Sequence, residues 1–413
     1  MRILLVADGR SPTTRRWLDG LHAMGYTITL VSTFHCDRPP DLAGFKVIPV
    51  AFGRLAGSHM PPTGATAPAR QGTNQAGLRR LVGRFRSLFQ AGRYYLGPLS
   101  LVTSFDRARF RHVVRTFRPD LIHALRIPFE GMLASYAPAG VRVAVSIWGN
   151  DLTLHAHGSR WMASLTRRTL RRAGGLLADT SRDLRLASSW GFPRGCPAQV
   201  VPGSGGLDLD EIARCKETPI EPFAGGPLPP GAPVVINPRG FRPGSLRSDT
   251  FFKAIPRVLA KVPQAIFLCP SMAGEAEAIR WVKELDIEKQ VRLLPILPQC
   301  ELWTLFHHSQ VFVSPSIHDG TPNSFLEASA CGCFPVAGDI ESFREWIAPG
   351  VNGLLADASD PQALAEAILT ALASPDLRRQ AAEINAGLVA QRAEAGAVRE
   401  KVQAFYESIC RVN

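Results

Sequence analysis

Short apolar runs alternate with segments of helical periodicity from one end of the chain to the other. In the first half the runs fall at 3–7, 28–32, 47–51, 121–124, 141–147, 175–178 and 199–201. They are nearly continuous in Val, Ile, Leu and Ala, as expected of strands buried on both faces of a parallel sheet. Helical stretches such as 14–24 and 107–117 separate them. The second half repeats the alternation. Strands are expected at 234–237, 265–269, 291–294, 311–314, 333–337 and 353–356, and helices at 248–262, 273–285, 300–307, 324–330 and 361–373. This pattern predicts an α/β architecture of two doubly wound, Rossmann-like parallel-sheet domains. A Pro- and Gly-rich stretch at 216–232 reads as the connection between them. The expected organisation is an N-terminal domain over 1–214, a linker over 215–232 and a C-terminal domain over 233–391. The chain closes in one long Ala/Glu/Arg-rich helical pattern, 377–409, with the segment 392–413 packing back on the first domain.

A length of 413 residues agrees with two cores rather than one. No apolar run reaches the roughly 18 residues of a membrane-spanning helix. The start, Met1 to Asp8, reads as a first buried strand rather than a signal peptide, because its apolar part is short. Eight cysteines are scattered along the chain, several inside apolar runs. They read as buried free thiols in a reducing cytoplasm. Cys331-Gly332-Cys333 has no second Cys/His pair at ligand spacing, so no metal site is expected.

The net charge of +12 is unevenly spread. Residues 1–205 carry 28 Lys+Arg against 10 Asp+Glu, a net +18, and the remainder is net −6. Such asymmetry suggests that the first half faces something anionic: a membrane surface, a phosphorylated acceptor or nucleic acid. A Gly/Pro/Ala/Thr-rich stretch at 53–77 reads as a mobile loop. The basic amphipathic stretch 78–89 follows it. That stretch reads either as a membrane-surface helix or as a helix packed on its own domain with its arginines outward.

The richest chemistry lies at 314–327, between an apolar strand and an apolar helix. There Asp319 and Glu327 flank the loop Gly320-Thr321-Pro322-Asn323-Ser324. A loop that opens a helix aims backbone N–H groups and a positive dipole end at one point, which suits a diphosphate. Ionised carboxylates only accept hydrogen bonds, which suits the hydroxyls of ribose and sugar. The residues therefore point to a nucleotide diphosphate carrying a polyol. In an open doubly wound sheet such a loop lies on the ligand-binding rim, at the carboxyl ends of the strands.

From 314 to 353 the chain resembles the donor-site signature of retaining glycosyltransferases of family 4. These have the GT-B fold, two Rossmann-like domains facing across a cleft. The family's pair of acidic residues stands here as Asp319 and Glu327. Cys331-Gly332-Cys333-Phe334-Pro335-Val336 and Glu345-Trp346-Ile347-Ala348-Pro349-Gly350-Val351-Asn352-Gly353 follow in the family's order. Val201-Pro202-Gly203-Ser204-Gly205-Gly206-Leu207-Asp208 is similar to the stretch before the linker. Ile236-Asn237-Pro238-Arg239-Gly240 resembles the strand that delivers a donor-binding arginine, and Val291-Arg292-Leu293-Leu294-Pro295 the strand lining the base pocket. The loop from Ala7 to Trp17 takes the place of the family's glycine-rich loop. Two departures stand out. Asp319 is one methylene shorter than the family's Glu, and Trp148 stands where many members carry His.

The resemblance implies a set of roles. Arg239, Arg247, Asp319 and Glu327 would be catalytic. Gly9, His318, Gly320, Thr321, Pro322, Asn323 and Ser324 would join them in holding the donor. Arg10, Thr13, Thr14, Trp148 and Asp151 would meet the acceptor. Arg239 and Arg247, the latter with Arg242 as competitor, would neutralise the leaving diphosphate in place of a metal. Glu327 would hold the ribose hydroxyls and Asp319 the donor sugar. His123 reads as a structural histidine. The nucleotide-sugar is a substrate, and neither cofactor nor metal is implied. The implied reaction moves a sugar from a nucleotide diphosphate sugar, UDP ahead of GDP, to an acceptor hydroxyl with retention. The acceptor would be a glycan, lipid-linked or otherwise anionic. The implied place is the cytoplasm, with loose attachment to an anionic membrane surface on the cytoplasmic face of the inner membrane. Two rivals stay open: another enzyme on this fold, such as a phosphorylase or nucleotide-sugar epimerase, and a non-catalytic partner subunit. A nucleic-acid partner fits the charge, but no nucleic-acid motif is present.

Overall fold

A computed structural model of the protein describes residues 1–51, 104–220 and 225–411, with Gly92, Tyr95, Gly97, Ser100 and Leu101 in addition. The loop expected at 53–77 and the amphipathic stretch at 78–89 lie outside the described residues. The chain divides into two units, Met1–Val200 with Arg399–Asn413, and Val201–Val398.

Among the described residues the first unit holds seven parallel strands: β1 Arg2–Ala7, β2 Thr27–Ser32, β3 Gly44–Val47, β4 Leu121–Ala124, β5 Val143–Ile147, β6 Gly175–Ala178 and β7 Ala198–Val200. Their order is β3-β2-β1-β4-β5-β6-β7, so the winding reverses between β1 and β4. Ile3 to Ala7, and the whole of β4, β5 and β6, are buried. That double-sided burial is why these strands read as unbroken apolar runs. The third strand differs from the sequence reading. Thr29 to Ser32 pair with Gly44 to Val47, and the apolar Ile48 and Val50 lie beyond the ladder, where they cover the core instead.

The second unit holds six parallel strands: β8 Val234–Ile236, β9 Ile266–Cys269, β10 Val291–Leu293, β11 Val311–Ser314, β12 Phe334–Gly338 and β13 Leu354–Ala356. Their order is β10-β9-β8-β11-β12-β13, with the reversal between β8 and β11. Two apolar clusters sandwich this sheet. One gathers Phe312, Phe325 and Trp346, the other Phe251, Phe267 and Phe334.

Three features depart from the sequence reading. First, residues 201–214 belong to the second unit rather than the first. Leu207 N–H donates to Ala393 O (2.8 Å), and Ala395 N–H donates to Leu207 O (2.9 Å). Gly206, at φ +94°, permits that approach; a Cβ there would stand 2.5 Å from Ala395 Cα. Second, the same pairing breaks the C-terminal helix into two, Pro375–Ala393 and Ala395–Arg411. Glu394 between them is extended, and its carboxylate accepts from Gly396 N–H (2.7 Å) and Ala397 N–H (2.9 Å) to start the second helix. Third, Cys215 and Cys300 form a disulfide across a sequence separation of 85, so not every cysteine is a free thiol. Folding lays the start of the linker on the Gln299–His307 helix, where Thr304 Oγ1 donates to Cys215 O (3.0 Å). The other six cysteines are free, and burial pushes the Cys269, Cys331 and Cys333 thiols well up. Among the described residues no helix is long and apolar enough to cross a membrane.

Candidate active site

In the second unit the reversal point brings the loop after β8 against the loop after β11. Ile317 N–H donates to Ser245 O (2.9 Å) and Arg247 N–H to Pro315 O (2.9 Å), stitching the two loops together. Arg239 is buried at their junction. Its guanidinium donates to Asp319 Oδ2 (2.5 Å) and to Ser324 Oγ (3.1 Å), and Asn237 Oδ1 accepts from its backbone N–H (3.2 Å). Asp319 also accepts from Ser316 Oγ (3.2 Å) and Gly320 N–H (3.1 Å), while Ser342 Oγ donates to its carbonyl (2.9 Å). The Asn323–Ala330 helix begins beside this pair with no side-chain cap. One cation thus stands at the positive end of a helix, a setting made for an anion.

The loop is held from behind. Trp346 Nε1–H donates to Thr321 Oγ1 (3.0 Å), and the Arg392 guanidinium lies 3.8 Å from the Trp346 ring. Asn352 Nδ2 donates to Trp346 O (2.9 Å) and to Asn385 Oδ1 (2.8 Å). The end of the 345–353 run is therefore structural: it fixes Trp346, which fixes Thr321. Glu327 is buried one turn into the helix. His318 is half-buried, its N–H donating to Ser245 O (3.3 Å). Gly320 and Pro322 are buried, Asn323 and Ser324 half-buried. A recess at the carboxyl ends of β11, β12 and β13 is lined by Ser316, Ile317, Asp339, Ile340, Asp357 and Ala358.

Arg247 is placed otherwise. It forks onto Asp249 (2.9 and 2.9 Å) and donates to Ser359 Oγ (3.3 Å). The Arg beside Arg239 is Arg242, whose pKa the Arg239 charge holds down at about 10 even though its side chain reaches solvent. The sequence named Arg242 only as a competitor, because spacing does not show which turn of a Gly-rich loop faces inward.

In the first unit the rim is closed by its own ion pairs. Arg10 forks onto Asp8 (3.0 and 2.9 Å) and lies 3.6 Å from the Phe34 ring. Thr14, buried, donates to Asp8 O (2.7 Å), and Thr13 beside it is half-buried. Gly9 lies so close to Ser32 and Cys36 that a Cβ would meet Cys36 Sγ at 2.5 Å. Asp151 is fully buried and accepts from Arg126 Nη2 (3.0 Å), Ile127 N–H (2.9 Å) and Trp148 N–H (3.2 Å). Burial pushes its pKa up despite the Arg126 charge. The expectation that Asp151 meets an acceptor is corrected here: its carboxylate has no exposed face and instead ties the β4 and β5 loops together. Trp148, half-buried, lies under the Arg126 guanidinium at 5.2 Å. Arg182 forks onto Asp183 (3.0 and 2.8 Å), whose pKa burial lifts to about 6. Sequence reasoning missed the Arg126 and Arg182 pairs, whose partners come from different loops or carry no motif.

His123 is fully buried in β4, between Tyr406 Oη (2.7 Å) and Ser146 Oγ (2.8 Å). Burial lowers its pKa to about 3, so it is a neutral structural histidine that anchors the last helix.

Two doubly wound parallel-sheet units in one chain, the second with a cation at a helix start on its reversal point, define the GT-B class. Two family models match this chain, one described as glycosyl transferase 4-like domain over residues 8–203 and one as glycosyl transferases group 1 over residues 247–386. The chain belongs to the family 4 glycosyltransferases. A D-inositol 3-phosphate glycosyltransferase of Corynebacterium urealyticum is 37% identical over 101 residues, 24% of each chain. An alpha-maltose-1-phosphate synthase of Mycolicibacterium smegmatis is 30% identical over 131 residues, 30% of each. The matched segments thus span only about a quarter to a third of these relatives' lengths. Solved structures confirm the fold along the whole chain. HepE of Anabaena in complex with UDP aligns with a TM-score of 0.66 at 15% identity, covering 99% of this chain and 100% of that one. A sucrose-phosphate synthase from Thermosynechococcus elongatus aligns with a TM-score of 0.69 at 14% identity, covering 100% of both.

Proposed function

We propose that the protein transfers a sugar from a UDP-sugar to an acceptor hydroxyl with retention at the anomeric carbon. The observation that carries this reading is Arg239, fixed by Asp319 and Ser324 at the uncapped start of the Asn323–Ala330 helix. Charge develops on the diphosphate as the glycosidic bond breaks. A fixed guanidinium and a helix N-terminus stabilise that charge without reorganising. Arg242 adds a second positive charge in this reading. Glu327 takes the ribose hydroxyls, and Asp319 the donor sugar while it aims Arg239. The acceptor hydroxyl attacks on the face the phosphate leaves, and a phosphate oxygen takes its proton. No cofactor or metal enters these steps.

The base is assigned as uracil because HepE, of the same fold, binds UDP. The acceptor is assigned as anionic, glycan or lipid-linked. The first half's excess of arginine supports this, as do relatives named for inositol 3-phosphate and maltose 1-phosphate. An acceptor of that kind would bring the protein to an anionic membrane surface on the cytoplasmic side.

Thermal stability against UDP-, GDP- and ADP-sugars, on wild type and Glu327→Ala, tests the donor site. Binding to the folded state alone adds about 2.7 kcal/mol at a hundredfold excess over Kd. A midpoint rise with UDP-sugar that Glu327→Ala loses is expected. A rise only with another nucleotide would reassign the base, and no rise with any would remove the enzymatic reading.

A further inference from the structure

Among the described residues of the first unit, Arg10, Arg126 and Arg182 on the rim each face a carboxylate, Asp8, Asp151 and Asp183. A further concentration of arginine lies on a helical flank. The Ser104–Phe117 helix carries Arg107, Arg109, Arg111 and Arg115 against one carboxylate, Asp106. The Arg160–Arg172 helix carries Arg160, Arg167, Arg168, Arg171 and Arg172 and no carboxylate at all.

The two helices meet around one ring, since Arg107 and Arg168 both stack on Tyr136, at 5.0 and 4.2 Å. Several of these arginines are fixed by neutral groups, so their charge stays uncancelled. Arg111 donates to Tyr136 O (3.0 Å), Arg168 to Ser135 Oγ (3.2 Å), and Arg172 to the carbonyls of Pro138 (3.1 Å) and Val141 (2.7 Å). Burial and then the Arg168 charge lower the Arg172 pKa, as expected where like charges crowd. Arg160, Ser164, Arg167 and Arg171 are exposed and recur at helical spacing as one outward stripe. Two large aromatics are exposed on the same helices, Phe105 at 68% and Trp161 at 49%, each the second residue of its helix.

We infer that this flank is a docking surface for an anionic lipid bilayer. Helices of this length spread their charge over about 20 Å, an extent that fits a plane of headgroups rather than one small acceptor. Arginine suits phosphodiester headgroups because its planar fork can bind two oxygens at once. Exposed Trp and Phe beside arginines are the side chains that settle at a membrane interface. A nucleic acid would call for aromatics spaced along a groove; here they stand at two helix starts. The inference rests on the anionic-surface part of the proposed function and not on its transfer step.

The test is co-sedimentation of the full chain with vesicles of phosphatidylcholine, alone or with about a third phosphatidylglycerol, in low and high salt. Wild type should pellet only with the anionic vesicles and be released by salt. The triple variant Arg160→Gln/Arg167→Gln/Arg171→Gln should partition about a hundredfold less, at roughly the worth of three surface arginines. The matching Glu triple, which reverses three charges, should partition less still. Arg168 and Arg172, which pin the 135–141 segment, are left in place. Arg167 stacks on Trp190 at 4.7 Å, so the melting midpoint of each triple is read on the same samples. The single variant Arg160→Glu, which leaves that stack intact, should keep the wild-type midpoint and still lose part of the vesicle binding. The UDP-dependent midpoint shift, read on the same samples, reports the nucleotide site separately. Pelleting of the triple variants equal to wild type would overturn the surface, as would wild-type pelleting that ignores lipid charge. So would loss of binding to a short RNA with vesicle binding unchanged, which would name a nucleic acid as the partner.

Discussion

The two rims of this protein are built on the same sheet plan and use the same residue types to opposite ends. On the first, the carboxylates of Asp151 and Asp183 are sealed inside and matched by Arg126 and Arg182. On the second, Asp319 and Arg239 pair beside a helix start that no side chain caps. A sealed pair holds loops in register. A pair beside a helix start that no side chain caps can exchange one partner for a ligand. An acidic residue at the carboxyl end of a strand is thus not by itself a site; what lies next to its arginine decides.

The largest effect should come from breaking the sealed pair. Asp151→Ala leaves Arg126 without its carboxylate and two loop N–H groups without an acceptor. Removing one partner of a buried pair costs roughly 3–5 kcal/mol. A fall of several degrees or more in the melting midpoint is expected, with nucleotide binding retained in the protein that stays folded. A midpoint within a degree of wild type would mean that the Asp151 cluster is not what holds this rim.

Arg239→Ala should separate the rims by turnover rather than by stability. Loss of one charge-stabilising donor typically lowers turnover by on the order of a hundredfold or more. Because Arg239 and Asp319 are themselves little exposed, the melting midpoint should fall as well. If turnover with a UDP-sugar fell less than about threefold, the contrast between the rims would collapse. Asp319→Glu sharpens it. Lengthening the side chain restores the family's residue but disturbs a 2.5 Å contact to Arg239, so a change in sugar preference without loss of nucleotide binding is expected.

Much of this contrast was legible before folding was considered. Continuous apolar runs gave both sheets, because parallel strands buried on two faces have no polar alternation to hide them. The 319–327 spacing gave the second rim, because its residues come from one loop and one helix. The rest depends on contacts between distant segments. Leu207 breaks the terminal helix at Glu394, and Cys215 finds Cys300, through pairings that no local pattern records. Asp151 was misread as an acceptor contact because a motif shows that a carboxylate is needed, not which way it points.

A smaller effect should follow pH. His123 is neutral in the fold down to about pH 3, but the unfolded chain protonates it near 6.5. Its folded pKa is depressed, so stability is full above 6.5 and is lost as pH falls, by about 1.4 kcal/mol per unit. Asp183 works against it. Its folded pKa is raised to about 6 from 3.8, so the folded state holds a proton that the unfolded state has released, and stability is lost as pH rises through that window. His123→Gln keeps hydrogen-bonding atoms for Tyr406 and Ser146 but cannot titrate. Its stability relative to wild type should climb as pH drops from 6.5 to 5, measured by urea unfolding. A constant difference over that range would mean His123 is not held neutral.

The finest comparison lies within one loop. Arg242 and Arg247 are five residues apart, and either could supply the second positive charge on the donor. Arg247 is already forked onto Asp249 beside the start of the Ser248–Leu259 helix, and its side chain is about one-third exposed (35%). Its charge is cancelled by a neighbour and screened by water. Arg242 sits against Arg239 with no such fork, in a loop turned by Gly240 and Gly244, both at positive φ. Asp319 is the anion already beside the two arginines, and a diphosphate would supply a second. Arg242→Ala should therefore weaken donor binding about tenfold, close to one charged hydrogen bond's worth. Arg247→Ala should change it less than about twofold, as exposed ion pairs usually do. Equal losses from both would place the two arginines on the same ligand. The reverse ranking would mean that Arg247 leaves Asp249 when the donor arrives.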